Sequence, residues 1–148
     1  MNLNNFTIKS QEAVQKAQQI ATEMSNQSIE TGHLLKGILE VDENVTPFSI
    51  QKLGVNLSIF KQALDKILES YAKVSGGEQY LSQNANKTIQ KATGILKELK
   101  DEYVSIEHLL LGLLASGDTI SQLMKDNGIK EKDMKSAIQE LRKGENVT

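Results

Sequence analysis

The sequence predicts an all-α protein in which two four-helix repeats pack as one eight-helix domain. Three observations support this prediction. Apolar residues recur at the 3.6-residue period of an amphipathic helix, no segment alternates polar and apolar residues for long, and the sequence matches itself at a shift of 75 residues. The length of 148 residues is that of one ordinary domain.

The internal repeat has its clearest match between the eleven residues Ile29–Leu39 and the segment Val104–Leu114. The five identical positions pair His33 with His108, Leu34 with Leu109, Leu35 with Leu110, Gly37 with Gly112, and Leu39 with Leu114. Farther along, Gly54 aligns with Gly128 at a shift of 74, so the second copy has lost one residue. The repeats are predicted to span residues 1–72 and 79–148, joined by a glycine- and serine-containing linker at 73–78.

Three of the four helices predicted in the first repeat have a residue suited to their start. These residues are Thr7, Thr46 with Pro47 in the first turn, and Asn56. The second helix is predicted near residues 31–39, and the glycine of Leu53-Gly54-Val55 is predicted to end the third. The first helix has apolar residues at Ala13, Val14, Ala17, Ile20, Ala21 and Met24, and the fourth at Leu57, Phe60, Leu64, Ile67, Leu68 and Tyr71.

The second repeat follows the same plan. Its predicted caps are Ser82, Ser105 and Asp118 for the first three helices. Gly128 is predicted to end the third helix, and Gly144 to end the fourth. The apolar positions of this fourth helix are Met134, Ala137, Ile138 and Leu141.

The composition excludes several classes of function. The chain has no Cys, which rules out disulfides, thiolate zinc sites and a cysteine nucleophile. A net charge of −2, with Arg142 as the one Arg, argues against nucleic acid as a partner. No apolar stretch is long enough for a membrane span, and no signal peptide is evident at the N-terminus, so we expect a cytoplasmic protein without a membrane partner.

Candidate catalytic and metal-binding residues are few. The sequence has no phosphate-binding loop of the form GxxxxGK[ST], and also lacks HExxH and GxSxG. His33 and His108 are interpreted as packed residues in the first turns of short helices. The acids Asp101, Glu102 and Glu107 have no predicted nucleophile beside them, and the helix dipole alone accounts for Glu107. We therefore expect no enzyme active site, metal or cofactor in this chain.

The helix predicted from Ser82 to Lys100 has an unusually wide apolar stripe. Its members are Ile89, Ala92, Ile95, Leu96 and Leu99. Ile95 lies to one side of the Leu96 and Leu99 positions. Such residues either widen the core or line a surface groove for apolar segments, and the sequence leaves both alternatives open.

Several landmark segments resemble the double N-terminal repeat of the Clp family of AAA+ unfoldases. The segments are Phe6-Thr7, Ser10-Gln11-Glu12-Ala13, His33-Leu34-Leu35, Leu53-Gly54-Val55, Ser105–Leu111 and Leu141-Arg142-Lys143-Gly144. The resemblance covers essentially the whole chain. It implies an eight-helix domain whose two repeats are related by a pseudo-twofold axis. The domain would be joined to two ATPase modules that form a hexameric ring, with ATP and Mg²⁺ bound in those modules and not in this chain.

The resemblance also implies a function. The final segment, residues 137–148, is more similar to the disaggregases of the family than to its protease-coupled members, so the domain is expected to bind unfolded or aggregated polypeptide and pass it to the ATPase ring. The alternative is an adaptor-docking domain of a protease-coupled unfoldase. In either case the isolated domain is expected to be a monomer.

The family's substrate-contacting positions correspond to Thr7, Asp101 and Glu107, with Ile89 and Ile95 in the adjoining groove. Two positions differ from the family pattern. Lys91 stands where the groove has an apolar residue, and His108 stands where some members carry Leu.

Overall fold

The structure is a computed structural model that describes residues 3–74 and 76–143. Within these ranges the chain forms eight α-helices, four on each side of the linker, which confirms the predicted fold class. The helices are α1 Ile8–Glu23, α2 Thr31–Val41, α3 Val45–Lys52, α4 Leu57–Glu69, α5 Gln83–Leu99, α6 Ile106–Ala115, α7 Thr119–Asp126 and α8 Glu131–Arg142, with two short strands, β1 Ser28–Ile29 and β2 Tyr80–Leu81. No helix in this part of the chain is long and apolar enough to cross a membrane.

Side-chain caps begin four of the helices at the predicted residues. The side-chain oxygens of Thr7, Asn56, Ser82 and Asp118 each accept a hydrogen bond from the backbone N–H three residues later. Two predicted glycine stops are also confirmed, because Gly54 and Gly128 have φ of +79° and +87°, values that glycine adopts without strain. The predicted stop at Gly144 lies outside the described residues. The division into repeats at 1–72 and 79–148 stays a prediction.

The start of α3 differs from the prediction. The helix begins at Val45, so Thr46 lies inside its first turn and is not the cap. The acceptor is the Asp42 carboxylate, which receives the backbone N–H groups of Asn44, Val45 and Thr46 at 3.1, 3.2 and 2.7 Å. The Thr46 hydroxyl also donates to Asp42, at 2.7 Å. The Asp42 carboxylate, upstream of the helix, thus caps α3 in place of Thr46.

Glycines bring the first two helices of each repeat into close contact. A Cβ atom added at Gly37 of α2 would lie 2.5 Å from the carbonyl oxygen of Ala13 in α1. At the equivalent position of α6, a Cβ atom added at Gly112 would lie 2.6 Å from the carbonyl oxygen of Thr88 in α5. Only glycine permits this distance between the helix backbones.

Each repeat forms a short parallel β-pairing with the other repeat. Phe6 pairs with Val104 in a parallel β-bridge, and Leu81 pairs in parallel with Ile29. A shift of 75 residues converts one pair into the other, since Phe6 corresponds to Leu81 and Ile29 to Val104. The segment before the first helix of each copy is thus bonded to the segment before the second helix of the other copy, as the pseudo-twofold relation requires.

One hydrophobic core serves both repeats. Helix α6 is central: every residue from Ile106 to Leu114 is buried, and the helix packs against α5, α7, α8, α1, α2 and α3. The core cluster combines first-repeat residues such as Leu35 and Phe60 with second-repeat residues such as Leu110 and Met134. This arrangement suits repeats of about 70 residues, since a domain of that size has only a marginal core of its own.

Candidate functional site

The candidate site lies where the start of α1 meets the segment between α5 and α6. The Thr7 backbone N–H donates to the Val104 carbonyl at 2.9 Å, and the Ser10 hydroxyl donates to the same oxygen at 2.7 Å. Thr7 is half-buried, and its hydroxyl also accepts the capping hydrogen bond from the Ser10 N–H at 3.2 Å. The cap of α1 is therefore fixed to the segment that carries Asp101 and leads into α6.

The Asp101 side chain is completely buried. It follows Lys100, whose left-handed backbone (φ +58°) ends α5, and its own backbone N–H donates to the Leu96 carbonyl at 2.9 Å. One oxygen of the Asp101 carboxylate lies 2.7 Å from His108 Nε2 and 2.8 Å from Arg142 Nη1. A buried carboxylate needs such partners. The Asp101 carboxylate therefore lies inside the domain and not on its surface.

Glu107 shares Arg142 with Asp101 but lies at the edge of the buried cluster, with its side chain 10% exposed. It is in the first turn of α6, where the helix dipole favours an acid. Its carboxylate accepts a hydrogen bond from the Ser105 hydroxyl and lies 3.5 Å from Arg142 Nη2. Arg142 therefore brings together two of the predicted site residues, Asp101 and Glu107.

His108 has its proton on Nε2. The Ser105 backbone N–H donates to Nδ1 at 2.9 Å, so Nδ1 is an acceptor and Nε2 donates to Asp101. Burial lowers the pKa of His108, against the opposing effect of the hydrogen bond to Asp101. The ring is neutral and acts as a structural link between the start of α6 and the end of α5.

The first repeat contains the neutral counterpart of this arrangement. The Glu30 backbone N–H donates to His33 Nδ1 at 2.8 Å, and His33 Nε2 lies 2.9 Å from Asn26 Oδ1. Burial lowers the pKa of His33 to about 4. Both histidines are fully buried in first turns, as predicted. Among the described residues, no group of three or more His, Cys, Asp or Glu is arranged to hold a metal ion.

The two predicted groove residues lie on α5, which packs mainly against α6. Ile89 and Ile95 are each half-buried and packed against the core, so the stripe widens the core and still leaves part of each side chain exposed. Ile95 is four residues before the end of α5, about 6 Å along the axis, whereas Ile89 is about 15 Å from that end. Lys91 donates to the Ala115 carbonyl at 2.8 Å and so caps the end of α6.

Sequence reasoning missed two apolar residues beside the junction. Ile8, the first residue of α1, is 76% exposed, and Tyr103, next to Val104, is 40% exposed. They flank the Thr7 and Val104 backbones. Ile8 follows Thr7, a position that the family resemblance indicates, and Tyr103 precedes Val104, which begins a matched segment of the internal repeat. This adjacency is the signal in the sequence that points to them. Arg142, the one Arg in the chain, is a further residue of this cluster that the sequence pattern does not indicate.

The Clp repeat (R) N-terminal domain family matches residues 5–141. The chain belongs to this family of Clp N-terminal domains. The match includes every helix of the described structure except the last residue of α8.

Curated relatives of this Clp N-terminal domain include the chaperone protein ClpB of Bacteroides thetaiotaomicron, 53% identical over 148 residues, and ClpB of Porphyromonas gingivalis, 45% identical over 148 residues. Both alignments cover the whole chain, which spans 17% of the length of each relative. The chain is thus similar to the N-terminal region of ClpB and is a Clp-family chaperone N-terminal domain.

Solved structures agree on the fold. The N-terminal domain of Hsp104 from Candida albicans has a TM-score of 0.85 at 21% identity, with 97% of this chain and 95% of that chain covered. The N-terminal domain of ClpD from Arabidopsis thaliana has a TM-score of 0.72 at 20% identity, with 96% and 97% covered. At these identities the likeness concerns the fold.

Proposed function

We propose that this chain is the substrate-engaging N-terminal domain of a ClpB-type disaggregase. It binds apolar segments of unfolded or aggregated polypeptide and passes them to an ATPase ring formed by modules outside this chain. The observation that carries the proposal is the exposure of Ile8 and Tyr103 on either side of the Thr7–Val104 hydrogen bond. The similarity to ClpB supports it independently.

The two exposed side chains supply the physical basis for binding. Complete burial of one large apolar side chain contributes about 1.5–3 kcal/mol. A flexible segment loses conformational entropy when it binds, which offsets much of this gain. The domain is therefore suited to weak and reversible contact with many apolar segments, and such contact allows handover to the ring.

The predicted site residues have different roles in this proposal. Thr7 fixes the start of α1 so that Ile8 faces the substrate, and Ile95 and Ile89 extend the apolar surface along α5. Glu107, which is buried except for 10% of its side chain at the edge of the acidic cluster, accepts N–H groups of the bound segment. Asp101 is buried and acts through the residues it holds, His108 and Arg142.

The proposed setting is a cytoplasmic chaperone that responds to stress. Binding of ATP and Mg²⁺ belongs to the ATPase modules, and this chain performs no chemistry of its own. The domain by itself is a monomer, because its amphipathic helices have partners within the chain.

Nuclear magnetic resonance of the ¹⁵N-labelled chain tests the proposal. The probe is reduced and carboxymethylated α-lactalbumin, which stays unfolded and soluble. We expect the amide signals of Thr7, Ile8, Ile89, Ile95, Tyr103 and Glu107 to move together, and those of α4 to remain unchanged. Shifts confined to α4 or α7 would contradict the proposed surface. Shifts caused only by a folded protein would favour the adaptor-docking alternative.

A further inference from the structure

The charged cluster of the second repeat has a neutral counterpart in the first. Asp101 corresponds to Asn26 and Glu107 to Gly32 at the shift of 75, and Arg142 corresponds to Leu68 at the shift of 74 that follows the one-residue loss. The spatial relation is also kept. A Cβ atom added at Gly32 would lie 2.5 Å from the Tyr71 hydroxyl oxygen and 2.9 Å from Leu68 Cδ2, so Leu68, together with Tyr71, covers Gly32 where Arg142 contacts Glu107 in the second repeat.

The first repeat shows that the fold does not require charged side chains at these three positions. The first repeat has an amide, a glycine and a leucine at the positions of these three charged residues. Together with Tyr71, they orient the buried histidine and cover the start of its second helix. Buried ion pairs are often no more stabilising than apolar residues of similar volume. The three charges of the second repeat are therefore not needed to build this part of the fold.

The position of Arg142 indicates what the charges do. It is the last residue of α8, and its side chain is only 11% exposed. Its Nη1 atom lies 2.8 Å from the Asp101 carboxylate, and its Nη2 atom lies 3.5 Å from the Glu107 carboxylate. Its Nε and Nη2 atoms are buried and have no hydrogen bond among the described residues. One guanidinium therefore contacts both carboxylates, that of the buried Asp101 and that of Glu107 at the edge of the cluster.

We propose that Arg142 is a positioning residue of the substrate surface. It fixes the Glu107 carboxylate at the edge of the site and anchors it to the buried Asp101–His108 pair, so that the acidic edge is in place only when the end of α8 is docked. This inference rests on the proposed function, because the surface that Arg142 organises is the one assigned to substrate.

The test compares four variants of the whole chain for binding of reduced and carboxymethylated α-lactalbumin. Arg142→Leu should weaken binding about tenfold, as expected from the loss of one charge-assisted contact. Arg142→Lys should retain part of the binding, because the ammonium group can still pair with one carboxylate. The matched control is Lys135→Gln, which removes another α8 cation that pairs with two acids, Glu98 and Glu131, on the exposed surface. It should bind as the wild type does.

The fourth variant separates positioning from folding. The triple change Asp101→Asn, Glu107→Ala and Arg142→Leu places neutral side chains at the three positions that are neutral in the first repeat, with Ala in place of Gly to preserve helix propensity. We expect it to unfold cooperatively at a temperature no lower than the wild type and still to lose binding about tenfold or more. If this variant binds the probe as tightly as the wild type does, the proposal is overturned. Arg142 would then have only a structural role, which Leu can fill.

A readout independent of binding accompanies the test. The charge of Arg142 lowers the pKa of His108, so the His108 ring should titrate at a higher pH in Arg142→Leu than in the wild type. An unchanged titration would overturn the placement of Arg142. If the wild type itself fails to bind the unfolded probe, the proposed function fails together with this inference, whereas equal binding by the wild type and the triple variant overturns the inference alone.

Discussion

Asn26 and Asp101 occupy equivalent positions in the two repeats, and each is hydrogen-bonded to Nε2 of the histidine seven residues later, at 2.9 and 2.7 Å. The same histidine geometry is built once with a neutral amide and once with a carboxylate. The fold therefore tolerates either group at this position, and the negative charge of Asp101 matters for its neighbours in the second repeat.

Substitution of Asp101 should show this difference directly. Asp101→Ala leaves the His108 Nε2–H and the Arg142 guanidinium without the shared carboxylate, and we expect a loss of about 3–5 kcal/mol in the free energy of unfolding. Asp101→Asn keeps an acceptor for His108, as in the first repeat, and should lose less than half as much. Urea denaturation at neutral pH measures both values. Equal losses would show that the charge and not the hydrogen bond determines stability.

The helical glycines offer a test of the close helix contacts. Gly37→Ala and Gly112→Ala place a methyl group against a backbone carbonyl of the neighbouring helix, and each should destabilise the domain by about 1–3 kcal/mol. Gly94→Ala is the matched control, because this glycine of α5 has open space around its Cα. It should stabilise the domain by about 1 kcal/mol through helix propensity. Thermal unfolding distinguishes the opposite signs.

Cleavage of the linker tests whether the repeats form one unit. A protease site inserted between Gly76 and Gly77 should be cut without separating the halves, because the Phe6–Val104 and Ile29–Leu81 pairs and the shared core join them. We expect the two fragments to elute together from a sizing column and to retain the helical circular dichroism of the intact chain. Separate elution at neutral pH would mean that each repeat folds alone.

The exposed isoleucines allow a controlled test of the binding surface. Ile8→Ser should leave thermal stability nearly unchanged, because the side chain is 76% exposed, and should weaken binding of the unfolded probe roughly fivefold. Ile59→Ser removes a similarly exposed isoleucine near the start of α4, where 58% of the residue is accessible. This control should retain wild-type affinity, and a matching loss at both positions would indicate nonspecific adhesion.

Ile95→Ser tests the contribution of α5 to the same surface. Since Ile95 is half-buried against the core, we expect a loss of about 1 kcal/mol in the free energy of unfolding together with weaker binding. Binding is measured by fluorescence anisotropy of the labelled probe under conditions where the variant is fully folded. Unchanged affinity in the folded variant would assign Ile95 to the core alone.

The buried histidines make stability depend on pH. Burial lowers the pKa of His33 from 6.5 to about 4, so between these values the unfolded chain binds a proton that the folded chain excludes. The stabilisation is fully present above pH 6.5 and is lost as the pH falls toward 4, by about 3 kcal/mol from this site. Urea denaturation of His33→Gln at several pH values should show a shallower decline than the wild type. Identical slopes would mean that His33 does not contribute.

The helices, most of their ends and the internal repeat can be predicted from the order of the residues. Thr7, Asn56, Ser82 and Asp118 cap helices through hydrogen bonds to residues three positions later, and Gly54 and Gly128 end helices through their own backbone freedom. Such interactions depend on neighbours within one turn, so residue type and spacing are enough to predict them. The start of α3 shows the limit, since an acidic residue two positions upstream of the cap, Asp42, took the role expected of Thr46.

The segments that meet across the two copies are evident only from the packing of the folded chain. Phe6 pairs with Val104 at a separation of 98 residues, and Arg142 reaches Asp101 at a separation of 41. These contacts depend on how the helices pack around α6, and nothing within one turn of either residue specifies them. The same packing buries Asp101 and leaves Ile8 exposed, because burial is set by the neighbours that the fold brings to a side chain and not by its polarity alone.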